Sequence, residues 1–155
     1  MQATVPVILT FAAAALDGML AGASLDQSIK QLPARRRMGA IAFSVYSRAA
    51  DLGNGIVWYA ALGVSAALVT VAAAVATSAA GNAATLPIIL AAILSVLHSL
   101  VTTQAAPINF RQRAVPTDEA ALTAIFDSFD RWQTLRVILQ TLTFAAVLGA
   151  IFALG

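Results

Sequence analysis

The chain has 155 residues, 60% of them hydrophobic and only 10% charged, with a net charge of +2 and a single histidine. A soluble domain carries about 25% charged residues, so the composition points to a polytopic membrane protein in a single domain over residues 1–155. The lack of cysteine excludes disulfides, thiolate metal sites and thiol catalysis. The basic residues lie in loops between apolar runs, where they read as topology signals and lipid-headgroup contacts rather than as a nucleic-acid surface.

The first apolar run spans about residues 4–25. Its small-residue Ala21-Gly22-Ala23 has the look of a signal-peptide cleavage site, but a basic leader segment is lacking and Asp17 sits inside the apolar stretch. It is therefore read as a retained first span. Gly18-x-x-x-Gly22 would let a second helix approach closely. Loop 1 follows with Lys30, Arg35, Arg36, Arg37 and Arg48. Pro33 suits a first helical turn. Met38, Ile41, Ala42, Val45 and Tyr46 recur at helical spacing, predicting an interfacial amphipathic helix or an early start to span 2. Gly53-Asn54-Gly55 predicts a break or kink.

Span 2 covers about 55–77, with Trp58 and Tyr59 near its start, as interface anchors often are. A short uncharged loop with Gly81-Asn82 leads to span 3, about 86–106, which ends in a predicted turn at Pro107-Ile108-Asn109. Loop 3 holds Arg111 and Arg113, and Thr117 is the predicted N-cap of a helix bearing Asp118 and Glu119 in its first turn. Leu122, Ile125, Phe126 and Phe129 share a face of that helix, which should lie on the membrane or run into span 4, about 132–154. All nine Lys and Arg fall in loop 1, loop 3 or the first turn of span 4. The positive-inside rule then places both termini outside and loops 1 and 3 in the cytoplasm, in a bacterial inner membrane. The expected fold is all-α, an antiparallel four-transmembrane-helix bundle with one or two cytoplasmic amphipathic helices.

Asp17, His98 and Gln140 each lie about eight residues, or roughly 12 Å at the helical rise, from the loop 1 and loop 3 end. Arg136 sits one turn shallower, level with Trp58 and Tyr59. Thr102, Thr103 and Gln104 continue a polar lining towards Asn109, itself expected to cap the Pro107 turn. Ionisable groups in hydrocarbon are costly and should converge on an interior. A polar pocket opening to the cytoplasmic interface is therefore expected. In it, Asp17 and His98 would pair and make the imidazole a general base, and Arg136 would offset a developing oxyanion. The bland alternatives are a structural Asp17–His98 pair, a snorkelling Arg136, and Trp58, Tyr59 and Trp132 as an interface belt. Haem would need His98 and Met19 as axial ligands, with no second basic ligand to help. One His and one Asp are too few for a metal site. No metal or cofactor is expected.

Gly22-Ala23-Ser24 followed by Leu32-Pro33-Ala34, Pro107-x-Asn109 after span 3, and Trp132-x-x-x-Arg136 opening span 4 together resemble the DUF1772 family of small four-span membrane proteins, often called anthrone oxygenase-like. This chain has Gln133, Thr134 and Leu135 where the family often carries further polar or histidine residues. The resemblance implies a cofactor-free oxygenase that uses dioxygen to turn an anthrone into an anthraquinone. His98 would be the base, Asp17 its orienter, and Arg136 or Gln140 the oxyanion partner. Trp58, Tyr59 and Trp132 would stack on a planar hydrophobic substrate, with Thr102 and Asn109 also in contact with it. The alternatives are a quinone or lipid binder, or a non-catalytic subunit of a larger membrane complex or homo-oligomer, which Ala- and Gly-rich helices would suit. A transporter lacks support in internal repeats or broken helices.

Overall fold

The structure, a computed structural model, describes residues 4–154. Six α-helices follow in chain order: α1 Val5–Asp26, α2 Leu32–Met38, α3 Ala40–Ala49, α4 Gly55–Ala80, α5 Thr85–Phe110 and α6 Glu119–Leu154. There is no strand among the described residues. π-helical segments, Gln27–Gln31 and Ala50–Asn54, join α1 to α2 and α3 to α4, and a 3-10 turn, Arg111–Arg113, extends α5. The result is four rods, Val5–Met38, Ala40–Ala80, Thr85–Arg113 and Glu119–Leu154, each long and apolar enough to cross a membrane.

Local chemistry explains where the rods end. The chain reverses at Gly39 and Gly81, whose φ values of 83° and 62° lie in the region open chiefly to glycine. Asn82 Oδ1 accepts a hydrogen bond from the Ala84 N–H at 3.0 Å and closes the second turn. The predicted kink at Gly53-Asn54-Gly55 is present: Gly53 departs from helical geometry at φ −91°, ψ −119°. Gly55 is required there, because a Cβ would stand 2.7 Å from the Ala50 carbonyl oxygen.

Two expected boundaries are corrected. Pro107 does not start a turn; it lies inside α5, which continues to Phe110. A proline removes one backbone hydrogen bond, but helices packed in apolar bundles tolerate the loss. Asn109 is accordingly not a cap. It is buried, and its Oδ1 accepts from Gln112 Nε2 at 2.8 Å. The cap of α6 is Asp118 rather than Thr117: Asp118 Oδ1 accepts from the Ala121 N–H at 2.9 Å. α6 then runs 36 residues without interruption, so the segment bearing Leu122 and Phe126 continues directly into span 4.

The four long helices form a ring in which α1 touches α4, α4 touches α5, α5 touches α6 and α6 touches α1. The diagonal pairs, α1 with α5 and α4 with α6, have no extensive contact. At one end the ring closes on small residues, with Ala13, Ala73, Ala91 and Ala150 packed around Ile88 and Val147. Gly18 abuts the Phe144 ring, where a Cβ would come within 3.0 Å, so this half of the small-residue motif does admit a neighbouring helix. Gly22 meets nothing. At the other end Leu32, Phe43, Leu122, Phe126 and Phe129 form a second core. Phe43 and Phe126 meet edge to face at 5.0 Å, and Arg35 reaches Asp127 across the helices at 2.7 Å.

Large aliphatic side chains cover the outside of the bundle, while Asp, Gln, Thr and Ser are enclosed within it. The predicted amphipathic stripe follows the same rule: Ile41, Val45 and Tyr46 on α3 face outward, and Phe43, Ser44 and Ser47 face in. Contiguous apolar surface of this extent is foreign to soluble monomers and consistent with contact to lipid.

Candidate functional site

The enclosed polar groups form three layers. The first joins α1, α4 and α6. Asp17 is fully buried, and its carboxylate accepts from Thr70 Oγ1 at 2.7 Å and from Gln140 Nε2 at 3.0 Å. Neither an ion pair nor a hydrogen bond joins Asp17 to His98. The expected carboxylate–imidazole pair is thus corrected, and the ring supplies the reason. Asp17 on α1 and His98 on α5 stand on diagonal helices, so α4 and α6 provide the partners of Asp17 instead. Equal depth did not mean facing.

The second layer is built around Arg136 on α6. Its Nη1 donates to Gln133 Oε1 at 2.7 Å and its Nε donates to Thr102 Oγ1 at 3.1 Å. Thr102 in turn donates to the His98 carbonyl at 2.9 Å, and Gln133 Nε2 donates to the Ser24 carbonyl at 3.3 Å. The guanidinium is therefore anchored within the bundle by neutral partners, rather than snorkelling out of it. It has no carboxylate partner among the described residues.

The third layer closes the end formed by α3 and the Arg111–Arg113 turn. Gln112 is its hub. It accepts from Ser44 Oγ at 3.0 Å and donates to Ser47 Oγ at 3.3 Å and to Asn109 Oδ1. Ser47 donates to Asp51 Oδ2 at 3.0 Å, and Arg113 donates to the Leu52 carbonyl at 2.8 Å.

Between the second and third layers lies a cavity of about 490 Å³. Its polar lining includes His98, Arg136, Thr102, Tyr59, Asp51 and Asn109; most of the remainder is aliphatic, alanine or glycine wall. His98 is 4% exposed, yet its Nε2 has no hydrogen-bond partner. A buried polar atom left without a partner is uncommon and calls for an explanation. Here the atom belongs to a residue on the wall of an apolar cavity that also holds a cation.

Five of the nine predicted site residues line this cavity: His98, Arg136, Tyr59, Thr102 and Asn109. Asp17 and Gln140 form their own layer outside it. Trp58 is 56% exposed on the outside of α4, and Trp132 packs against the Leu32–Phe126 core. Neither tryptophan reaches the cavity, which corrects their expected stacking role. Met19 is 48% exposed and also away from the lining, so Met19 and His98 do not face a common space. Sequence reasoning missed Thr70, Gln112, Gln133 as an anchor, and Asp51. A threonine in an apolar helix can satisfy its hydroxyl on its own backbone and so gives no warning of a longer-range bond. Gln112 sits between Arg111 and Arg113, where it reads as surface, and Gln133 lies two residues after Arg131 at the start of span 4, where it reads as interfacial.

Fold and site together define an apolar four-helix bundle with a polar interior and an amphiphilic cavity. No family model, curated protein or solved structure matches the chain.

Proposed function

We propose that this chain is an integral membrane protein that binds a planar hydrophobic molecule in the His98–Arg136 cavity and acts on it as a cofactor-free oxygenase of the anthrone-to-anthraquinone type. The observation that carries this reading is the buried imidazole with an unpartnered Nε2 on the wall of a largely apolar cavity. The resemblance to anthrone oxygenase-like proteins supplies the reaction. The distribution of basic residues supports an orientation with loops 1 and 3 in the cytoplasm of a bacterium and both termini outside.

The chemistry asks little of the protein. His98 takes one proton from the acidic methylene of the anthrone, leaving a carbanion delocalised onto the carbonyl oxygen. Arg136, preorganised by Gln133 and Thr102, stabilises that oxygen. The carbanion passes an electron to dioxygen, and the two radicals combine into a peroxide at the same carbon. The peroxide anion takes the proton back from His98, and loss of water from the hydroperoxide leaves the second carbonyl, so anthrone and dioxygen yield anthraquinone and water with the base restored. The apolar wall keeps bulk water from the carbanion. Asp17 has no part in the step; with Thr70 and Gln140 it holds α1, α4 and α6 together.

The test is anthraquinone formation from anthrone by protein in lipid nanodiscs, with His98→Ala as the comparison. General-base catalysis contributes roughly 10²- to 10⁴-fold, so the variant should lose at least about 10²-fold in turnover while keeping its helical circular dichroism. Equal turnover by both proteins would overturn the reading. A non-catalytic quinone binder is the second reading, favoured by the Arg136 and Tyr59 donors on the cavity wall. It predicts saturable binding of the quinone and no product from anthrone.

A further inference from the structure

The cavity is not sealed. Its wall includes Val64 and Leu68 on α4, which are 59% and 65% exposed on the apolar exterior. Thr103 and Phe110 on α5 also line it and are exposed. Both pairs belong to adjacent helices of the ring. The opening therefore lies on the flank of the bundle, between α4 and α5, within the belt of aliphatic side chains. A molecule dissolved in the hydrocarbon would reach it without crossing water.

Gly63 stands at this opening. It lines the cavity, and a Cβ built on it meets no atom within 4 Å. No neighbour packs against that face of α4. Ala60 and Ala67, one turn to either side, line the same wall. Small residues alone would define nothing. Here the strip lies on the same cavity as His98, whose buried Nε2 has no partner, and as Arg136. Two of the Arg136 nitrogens are held by Thr102 and Gln133, and neither bond neutralises its charge.

From this juxtaposition we propose that the cavity takes an acidic amphiphile directly from the bilayer between α4 and α5, its ionised oxygen on Arg136 and its flat apolar body passing Gly63, which sets the width of the entry. The proposal rests on the cavity being a ligand site, as in the preceding reading, and adds the ligand's charge, its route and the residue that gauges it. Arg136 is half-buried with no carboxylate in ion-pair contact among the described residues; Asp51, the carboxylate on the same wall, is held by Ser47 instead. A partly desolvated cation so placed is costly, and an incoming carboxylate or phenolate offsets that cost. A neutral molecule of the same shape with no oxygen at that place does not, and a carbonyl such as that of the anthrone offsets it only in part. The first atom of a side chain at position 63 meets no packed neighbour, so Gly63→Leu is expected to narrow the opening rather than disrupt the packing of α4.

The probe is anthracene-9-carboxylate, a fluorescent planar acid, with 9-methylanthracene as its uncharged isostere. Both are titrated into the full chain in nanodiscs of zwitterionic lipid, with empty discs subtracted. The wild-type protein should bind the acid saturably and at least tenfold more tightly than the isostere. Gly63→Leu should weaken the acid at least tenfold and Gly63→Ala by less. Gly22→Leu, on an exposed position of α1 that also meets open space, should leave binding unchanged. Equal affinity in wild type and Gly63→Leu, equal affinity for acid and isostere, or no saturable binding would each overturn the proposal. Should Gly63→Leu fail to fold, Gly63→Ala decides: a smaller but measurable weakening of the acid supports the proposal, and affinity equal to wild type overturns it. A Gly63-dependent acid site in a protein that makes no anthraquinone would refute only the oxygenase reading. Anthrone turnover that needs His98 but ignores Gly63 would refute only the entry route.

Discussion

Asp17 shows most clearly what depth along a helix conveys and what it does not. Its level could be counted from the chain, at roughly 1.5 Å per residue. Its direction could not, because a helix apolar on every side has no polar face to mark the interior. The carboxylate turned towards Thr70 and Gln140, and the imidazole was left without a partner. The two groups therefore have separable roles. Thr70→Val removes a donor from a buried carboxylate, which costs about 1–3 kcal/mol of stability. Reversible unfolding in mixed micelles should register that loss, while anthrone turnover by the folded protein stays near wild type. Unaltered stability would contradict the assignment of Thr70 as a partner of Asp17. Arg136 is the opposite case, a residue whose sequence position near a helix end suggested snorkelling. Gln133, one helical turn back on α6, and Thr102 on α5 turned it inward; the i−3 spacing of Gln133 was legible in the sequence, whereas Thr102 lies on another helix and was not.

At the level of elements, the legible signals were those with a local cause. Gly81-Asn82 made the turn it promised, Gly53-Asn54-Gly55 kinked its rod, and the four apolar runs became α1, α4, α5 and α6. Pro107 and Thr117 misled because each residue type permits a boundary without imposing one. α5 absorbed its proline, and Asp118, one residue on, took the cap that Thr117 was expected to hold. The glycines separate in the same way. Gly55→Ala sets a methyl group 2.7 Å from the Ala50 carbonyl oxygen; the backbone must shift, at about 1–3 kcal/mol. Gly22→Ala meets no atom within 4 Å and should gain up to about 1 kcal/mol of helix propensity. Unfolding curves of the two variants should move in opposite directions. A Gly55→Ala variant as stable as wild type, or more so, would contradict the tight packing at the α3–α4 kink.

For the molecule as a whole, composition and run length were enough to establish four long apolar helices, and the ring order of those helices was the missing fact. Ring order decides which side chains meet, and it depends on packing among alanines that look alike in sequence. It placed α1 and α5 on a diagonal, separated Asp17 from His98, and left between the polar layers a cavity open towards α4 and α5. The central claim is that this cavity holds a flat hydrophobic ligand against the His98 imidazole. The chain contains one histidine, so protein carrying ¹⁵N-labelled histidine and no polyhistidine tag gives the signal of a single imidazole. With anthrone titrated anaerobically into nanodiscs, the Nε2 resonance should shift and saturate in the wild-type protein. A resonance that stays fixed while anthrone saturates the bilayer would contradict the claim.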